Sequence, residues 1–289
     1  MINIGEYNNL KVVRRAEFGY YFDAETGNTS DDVLLPNRSA LGKEISIGDE
    51  LEVFIYRDSE DRIIATLQEP LAKVGDIAYL EVIDKTNFGS FINFGLDRDI
   101  FVPIKEEEYR LEKGKKYLFY IYLDKTNRIT ATTKIDKILL DLDVENAEEI
   151  QNNKYRIGDE VEGIVYGFQT NGSAMIAIDK TYRGVILKNE YYVDLKEGNE
   201  LKLRVKKIYE DGKLGLTPRK KAVDERTQLQ DEILEYIKKH EGFMPFNDKS
   251  SPEDIKRVFK QSKNYFKNAL GGLMKRGLVV QEEDGTRLK

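Results

Sequence analysis

The sequence has no cysteine and a single histidine, His240, and these two shortages remove several classes of site. Without cysteine there is no thiolate nucleophile, zinc ribbon or disulfide scaffold, and such a composition fits a reducing compartment. One histidine cannot build a multi-histidine metal site, and a Ser-His-Asp triad would have to use His240. No phosphate-binding glycine loop or nucleophile motif is present. We expect no cofactor and no enzyme activity; a nuclease built only from carboxylates and Mg²⁺ is the enzyme class left open.

Long apolar runs are also missing. No stretch approaches the ~20 apolar residues that span a bilayer, and the opening MINIGEYNN lacks the basic-then-apolar pattern of a signal peptide. The 289 residues are 40% hydrophobic and 34% charged, which is typical of a folded protein of two or three domains, or more if each is small. We therefore expect a cytoplasmic location and no membrane partner.

The net charge of −6 is divided unevenly along the chain. Residues 1–70 hold 7 Lys/Arg against 14 Asp/Glu, and residues 71–150 hold 12 against 16, so this half is −11. Residues 151–222 hold 14 against 10, and residues 223–289 hold 13 against 12, so the remainder is +5. The asymmetry indicates a C-terminal half that faces a polyanion, with ordinary solvated surface charge as the alternative.

An internal repeat organises the first three quarters of the chain. Each copy opens with an aliphatic residue, a glycine and an acid: Ile4-Gly5-Glu6, Val74-Gly75-Asp76 and Ile157-Gly158-Asp159. A second glycine follows 14 residues later, and a third precedes an alternating apolar run. The second glycines are Gly19, Gly89 and Gly172, and the third are Gly48, Gly114 and Gly198. Agreement at several anchors indicates three copies of one small domain.

Each copy contains short period-two segments rich in Val, Ile, Tyr and Phe, separated by turn residues, which predicts antiparallel strands. The alternation is clearest after the third glycine, where Leu51, Val53 and Ile55 are the inward positions of the first copy. About five strands in about 65 residues is the size of an OB barrel. The fold class that we predict is mostly β, with three tandem five-stranded barrels of the OB fold.

Residues 223–289 change to helical spacing and predict a small α+β domain. Ser251 and Ser262 are candidate N-caps, and Gly277 is a candidate stop for the helix Lys263 to Arg276. In that helix, Phe266, Leu270, Leu273 and Met274 are expected to face the core. Asp284-Gly285 signals a hairpin. Three helices and a hairpin predict a winged helix-turn-helix. We place the boundaries at 1–70, 71–135 and 154–221 for the barrels, 136–153 for a connector and 222–289 for the winged helix.

The repeat resembles the S1-like RNA-binding domain, an OB subtype in which two aromatic residues flank a glycine and stack on bases. The motif is Phe18-Gly19-Tyr20-Tyr21 in the first copy and Phe88-Gly89-Ser90-Phe91 in the second. The resemblance implies base stacking by Phe18, Tyr21, Phe88 and Phe91, and a contribution from an acid and an arginine four residues apart on a later hairpin. Those pairs are Asp58 with Arg62 and Asp124 with Arg128. The histidine that the family carries on the third strand is absent, and its position is occupied by Pro36 in the first copy and Pro103 in the second.

The third copy carries Asn171 and Ala174 at the aromatic positions, so no stacking platform is expected there. Its basic residues, with those of the last predicted helix, are instead expected to hold phosphates. The predicted phosphate-binding residues are Lys202, Arg204, Lys206, Lys207, Lys213, Arg219, Lys220, Lys221, Lys263, Lys267, Lys275 and Arg276.

Three S1-like barrels followed by a winged helix resemble the conserved virulence factor B family. The resemblance implies a regulator that binds single-stranded RNA and affects expression of virulence-related genes. Two alternatives stay open at this point. One is an adaptor whose acidic barrels bind a basic protein, and the other is a transcription factor whose winged helix binds DNA. A structural alternative for Phe18 and Phe88 is that both rings pack inside their barrels.

Overall fold

The computed structural model describes residues 2–144, 154–218 and 222–289, with only the backbone described for residues 222–227. The chain divides into two compact units, Met1–Leu140 with Asp179–Arg183, and Asp141–Ile178 with Gly184–Lys289. The predicted fold class is confirmed, because three five-stranded OB-type barrels precede a small helical domain with a wing. Within the described ranges, no helix combines the length and apolar character needed to cross a membrane.

The first unit contains two barrels with the same strand order. The strands of barrel 1 are β1 Tyr7–Ala16, β2 Gly19–Phe22, β3 Val33–Pro36, β4 Glu50–Arg57 and β5 Ile63–Thr66. Those of barrel 2 are β6 Ile77–Thr86, β7 Gly89–Ile92, β8 Ile100–Pro103, β9 Lys116–Leu123 and β10 Ile129–Thr132. Barrel 1 closes in the order β1-β2-β3-β5-β4. In barrel 2, β8 and β10 come together through a hydrogen bond from the Thr130 hydroxyl to the Phe101 carbonyl, 2.8 Å.

The third glycine of the repeat is required for the same structural reason in every barrel. Its φ is positive, at +99°, +79° and +84°, where a side chain is strained. Its N–H donates to a carbonyl of the barrel's first strand: Gly48 to Val12, Gly114 to Val82 and Gly198 to Val165, each 2.8 Å. Directly after that valine the first strand bulges in all three barrels. A bulge re-aims the side chains that follow it.

Strand β4 is apolar on both faces, and this fuses barrel 1 to barrel 2. Val53 and Ile55 point into the core of barrel 1. Phe54 and Tyr56 point the other way and are buried with the core residues of barrel 2. The ring centroids of Phe54 and Phe94, which belongs to barrel 2, are 6.1 Å apart. The two N-terminal barrels therefore share apolar packing and are not independent domains joined only by a linker.

The connector and the third barrel follow. Residues 136–144 contain no helix, and the rest of the expected connector, 145–153, lies outside the described residues. The strands of barrel 3 are β11 Glu160–Phe168, β12 Ala174–Ile178, β13 Tyr182–Ile186, β14 Glu200–Ile208 and β15 Leu214–Thr217. They close in the order β11-β12-β13-β15-β14, which matches barrel 1.

The C-terminal domain has the winged-helix plan. Its elements are α1 Ala222–Lys239, β16 Phe243–Met244, α2 Pro252–Phe259, α3 Lys263–Lys275, β17 Val279–Gln281 and β18 Thr286–Leu288. Ser251 and Ser262 cap α2 and α3, each accepting a backbone N–H three residues on, and Gly277 after α3 has φ +70°.

One expectation about α3 is wrong. Phe266, Leu270 and Leu273 are buried, but Met274 is exposed. Met274 lies 100° around the helix axis from Leu273, and this places it beyond the edge of the buried stripe that Phe266, Ala269, Leu270 and Leu273 form.

Candidate nucleic-acid interface

The aromatic motif of barrel 1 lies on its surface at the β1–β2 turn. Phe18 is 58% exposed and Tyr21 is half-buried, so the alternative in which Phe18 packs inside the barrel is wrong. The two rings meet edge to face with centroids 6.2 Å apart. The guanidinium carbon of Arg14 lies 3.7 Å from the Tyr21 centroid, so one face of that ring is covered. Phe18 is therefore the more exposed ring of this motif.

A groove of about 980 Å³ runs beside this motif. Phe18, Tyr21, Leu34 on β3 and Arg62 before β5 line one part of it, and Asp31 and Asp32 lie among its other lining residues. Leu34 is opposite Tyr21 in the β2–β3 ladder and opposite Ile64 in the β3–β5 ladder, so the groove crosses three strands of the barrel. The aromatic edge and Arg62 are features on which single-stranded nucleic acid can bind, whereas Glu25, Asp31 and Asp32 in the same lining would repel a phosphate.

Barrel 2 repeats the motif with one more ring. Phe88 is 78% exposed, so it also lies outside its barrel, and Phe91 is half-buried. Phe101 of β8 stands opposite Phe91, with ring centroids 5.1 Å apart. The residue that matches Arg14 is Asp84, which pairs with Lys113 at 3.0 Å. We call Phe18 and Tyr21 the first platform, and Phe88, Phe91 and Phe101 the second platform. The second platform is more apolar than the first and has no arginine stacked on it in the described residues.

The two predicted acid–arginine hairpins differ in what they bind. In barrel 1, Arg62 donates to one carboxylate oxygen of Asp58 through two nitrogens, at 2.9 and 2.7 Å. Burial raises the pKa of Asp58, but the hydrogen bonds from the side chain and backbone of Arg62 outweigh it and leave that pKa below its ordinary value. The Asp58 carboxylate therefore stays charged and fixes Arg62 at the edge of the groove.

In barrel 2, Asp124 and Arg128 do not pair through their side chains. Asp124 accepts the backbone N–H groups of Thr126 and Arg128. The Arg128 guanidinium instead crosses to barrel 1 and binds both oxygens of Asp61, at 2.9 and 3.0 Å. The side-chain hydrogen bond from Arg128 lowers the pKa of Asp61. Arg128 thus joins the two barrels, and its predicted contact with RNA stays a prediction.

In barrel 3 the assignment of Ala174 to the second aromatic position is wrong by one residue. Ala174 is buried. Met175 stands opposite Gly167, the position after the β11 bulge, as Tyr21 stands opposite Arg14. The β11–β12 turn is longer than its counterparts, and this insertion displaced the register. The predicted lack of an aromatic ring at this position is unchanged, since the structurally equivalent residue is Met175.

The basic residues of β14 and its hairpin are only partly available. Lys202, Lys206 and Lys207 are exposed, and Arg204 is half-buried. Lys206 binds Glu190 at 2.6 Å, and Lys213 binds Asp211 at 3.0 Å. Lys207 lies over the Tyr209 ring, 4.6 Å from its centroid. The remaining predicted cations of this copy lie outside the described residues: Arg219, Lys220 and Lys221.

In the winged helix, the four predicted cations also separate into two kinds. Arg276 donates to Gln230 of α1 at 3.1 Å, and Lys263 reaches the Lys249 carbonyl at 3.5 Å. Lys267 and Lys275 are exposed on α3. Neither makes an ion pair with any residue in the described part of the chain, so these two are the better candidates for phosphate contacts.

Two residues at the platforms, Arg14 and Phe101, were not predicted from sequence. Both are cross-strand partners of a motif residue, Arg14 of Tyr21 and Phe101 of Phe91. A strand register would have found them, because residues directly opposite in a ladder project from the same face. The bulge in the first strand shifts that register by one residue, and the sequence gives no direct sign of it.

Comparisons with known proteins agree with this architecture. A model of the S1 domain matches residues 4–68 and 74–134, and a model of the CvfB-like winged helix domain matches residues 231–288. Uncharacterized protein YitL of Bacillus subtilis is 32% identical, over 98% of this chain and 92% of its own. Conserved virulence factor B of Staphylococcus epidermidis is 25% identical, over 86% of this chain and 84% of its own.

A solved structure covers the whole architecture as well. It is a multidomain protein with nucleic acid binding domains from Streptococcus pneumoniae, 26% identical, with a TM-score of 0.50 over 99% of this chain and 98% of its own. The predicted resemblance is therefore confirmed. With its S1 domains and its C-terminal winged helix, this chain belongs to the conserved virulence factor B family.

Proposed function

We propose that this chain is a non-catalytic, cytoplasmic protein that binds single-stranded RNA and regulates gene expression after transcription. The observation that carries the proposal is the exposure of Phe18 and Phe88 at the same position of two S1 barrels. A phenylalanine ring that is exposed to solvent at the same position of two repeats is explained if an unpaired base stacks on it. Each such ring contributes about 1 to 3 kcal/mol per base.

The C-terminal unit supports the proposal through its charge. Lys202 on β14 and Lys267 and Lys275 on α3 are exposed, and none makes an ion pair with the residues described. These cations suit phosphates, whereas the aromatic platforms of the first unit suit bases. If about five phosphates are contacted in all, log affinity falls with log salt at a slope near −0.7 per contact.

The regulatory part of the proposal draws on the relatives. Staphylococcal relatives are named conserved virulence factor B, and the streptococcal structure is described as having nucleic acid binding domains. Control of virulence-related genes is the corresponding proposal for this chain. The absence of catalysis is proposed because the sequence has no nucleophile motif, no cysteine and one histidine.

The test is RNA binding by the full chain and by the variants F18A, F88A and the double variant. Both rings are exposed, so their removal leaves the cores intact. The matched control is I47A, which also truncates an exposed apolar side chain of barrel 1. Ile47 is 66% exposed and precedes Gly48 in the chain, outside the aromatic motif. Filter binding of single-stranded RNA at two salt concentrations gives the affinity and the salt slope, and circular dichroism confirms folding.

We expect the double variant to lose at least about fivefold in affinity, and I47A to match the wild type. An unchanged double variant would contradict base stacking. Preference for duplex DNA over RNA of equal length would instead favour the winged-helix transcription factor. Binding of a basic protein without RNA binding would favour the adaptor, and cleavage of labelled RNA with Mg²⁺ would contradict the absence of catalysis.

A further inference from the structure

The contact between barrels 1 and 2 is made by the same hairpins that border their aromatic platforms. On the side of barrel 1 it uses the β4–β5 turn, where Asp61 binds Arg128. Arg57 in the same turn region donates to the Asn127 carbonyl at 3.2 Å. On the side of barrel 2 it uses the β9–β10 turn, which contains Asn127 and Arg128. The β4–β5 and β9–β10 turns are thus in direct contact, and we refer to them together as the junction.

Each turn of the junction lies next to a platform. In barrel 1, Arg62 ends the β4–β5 turn and lines the groove together with Phe18 and Tyr21. In barrel 2, Arg128 has the corresponding place, because Asp124 accepts its backbone N–H as Asp58 accepts that of Arg62. Two residues after Arg128, Thr130 holds the backbone of Phe101, a ring of the second platform. Each platform therefore borders one of the two turns that form the junction.

The arginines of this acidic half are concentrated along the same path. Residues 1–135 contain eight arginines, and six of them are at the platforms or at the contact between the barrels. Arg14 lies over Tyr21. The other five are Arg38, Arg57, Arg62, Arg98 and Arg128, and the two away from them are Arg15 and Arg110. Such clustering within a half of net charge −11 is what a polyanion-binding surface requires.

Three arginines at the contact between the barrels are placed to exchange partners. Arg38, Arg62 and Arg128 each pair with a carboxylate, and their side chains stay 71%, 63% and 56% exposed. Exposed ion pairs of this kind contribute little free energy, so a phosphate competes with the carboxylate at small cost. Guanidinium groups also bind phosphate through two nitrogens and stack on bases, which suits them to a nucleic-acid strand.

We propose that the two platforms and the junction form one continuous track, and that a single RNA strand crosses both barrels. The inference rests on the proposed function and deepens it, because it defines the ligand as a strand long enough to reach both platforms at once. Phe54 of barrel 1 and Phe94 of barrel 2 pack with their ring centroids 6.1 Å apart, so the two barrels are in direct contact. Binding at one platform then holds the strand at high effective concentration near the other.

The test compares RNA lengths with single and double variants. An OB fold accommodates about 4 to about 16 nucleotides, so oligouridylates of about 4 and about 32 nucleotides are the short and long probes. The short probe occupies one platform at a time. Removing one of two equivalent platforms then changes its affinity by about twofold at most, because the other remains. On one track, the long probe uses both platforms, so F18A and F88A each weaken it by about 5-fold to about 150-fold.

The outcomes separate this inference from the proposed function. Loss by each single variant on the long probe only, with I47A unchanged, supports the track. Single variants within about twofold at both lengths, with loss only in the double variant, mean two independent sites and overturn the track while base stacking stands. An effect of only one of the two rings on the long probe also overturns it. No effect of any variant at either length contradicts base stacking itself.

Discussion

Removing the Phe54 ring tests whether barrels 1 and 2 are one folding unit. Phe54 is fully buried on the face of β4 that looks away from the core of barrel 1. Its ring centroid is 5.5 Å from Tyr7, 6.5 Å from Tyr56 and 6.1 Å from Phe94. F54A therefore creates a cavity between the barrels and leaves the interior of barrel 1 in place.

The expected loss of stability is large. Truncating a buried phenylalanine to alanine costs about 3 to 5 kcal/mol, because the ring is removed from apolar surroundings and the cavity collapses only in part. Phe54 fits the upper part of this range, since three aromatic neighbours surround it and such pairs add about 0.5 to 1.5 kcal/mol each beyond burial. The loss applies to the pair of barrels rather than to barrel 1 alone.

Hydrogen exchange followed by mass spectrometry on the full chain measures where the stability is lost. F54A should increase exchange in β4 of barrel 1 and also around Phe94 in barrel 2. The matched control is V53A, which truncates the neighbouring residue on the opposite face of β4, inside barrel 1. It should increase exchange in barrel 1 first. Faster exchange confined to barrel 1 in F54A would show that the shared packing does not couple the barrels.

Two further predictions concern the same pair of barrels. D61N removes the carboxylate partner of Arg128. The hydrogen bond from Arg128 lowers the pKa of Asp61, so the ion pair stabilises the folded protein at pH above the ordinary pKa of 3.8. That stabilisation is lost as the pH falls through the lowered pKa of the folded state. Because the pair is exposed, thermal melts should show D61N only slightly below the wild type at pH 7, and this gap should close as the pH falls below 3.8. A gap independent of pH would refute the ion pair. G89A should lower the melting midpoint more than G114A, because φ at Gly89 is +152° and a Cβ there meets the Val102 carbonyl, whereas nothing lies near Gly114. Equal losses in these two variants would contradict the close approach.

The repeat and its consequences were predictable because they depend on local backbone requirements. Gly48, Gly114 and Gly198 recur because one backbone hydrogen bond to the first strand needs a positive φ. Alternating residues such as Val53 and Ile55 define the barrel interior directly. The caps at Ser251 and Ser262 follow the same local logic. Patterns within a few residues of each other are thus enough for the fold class.

The site was predicted less completely because it depends on contacts between distant segments. Arg62 pairs with the acid four residues before it, but Arg128 binds Asp61, 67 residues away in the chain. The spacing of Asp124 and Arg128 is the same as that of Asp58 and Arg62, so spacing does not distinguish the two outcomes. Phe54 did leave a sign, since an apolar residue on the outward face of β4 breaks the alternation and indicates a covered surface.

The acidic character of the N-terminal half and its proposed RNA-binding role are compatible once charge is considered by position. Net charge determines the long-range field, but phosphates are held by the cations within a few ångströms of them, because salt screens exposed charges over about 10 Å. Arg62 and Arg14 lie beside the rings of the first platform, so cations are available there even though Asp31 and Asp32 line the same groove. The acidic remainder disfavours strands that do not follow this path. A net charge of −11 is therefore compatible with the proposed RNA-binding role, provided that the strand is confined to the arginines along the proposed track.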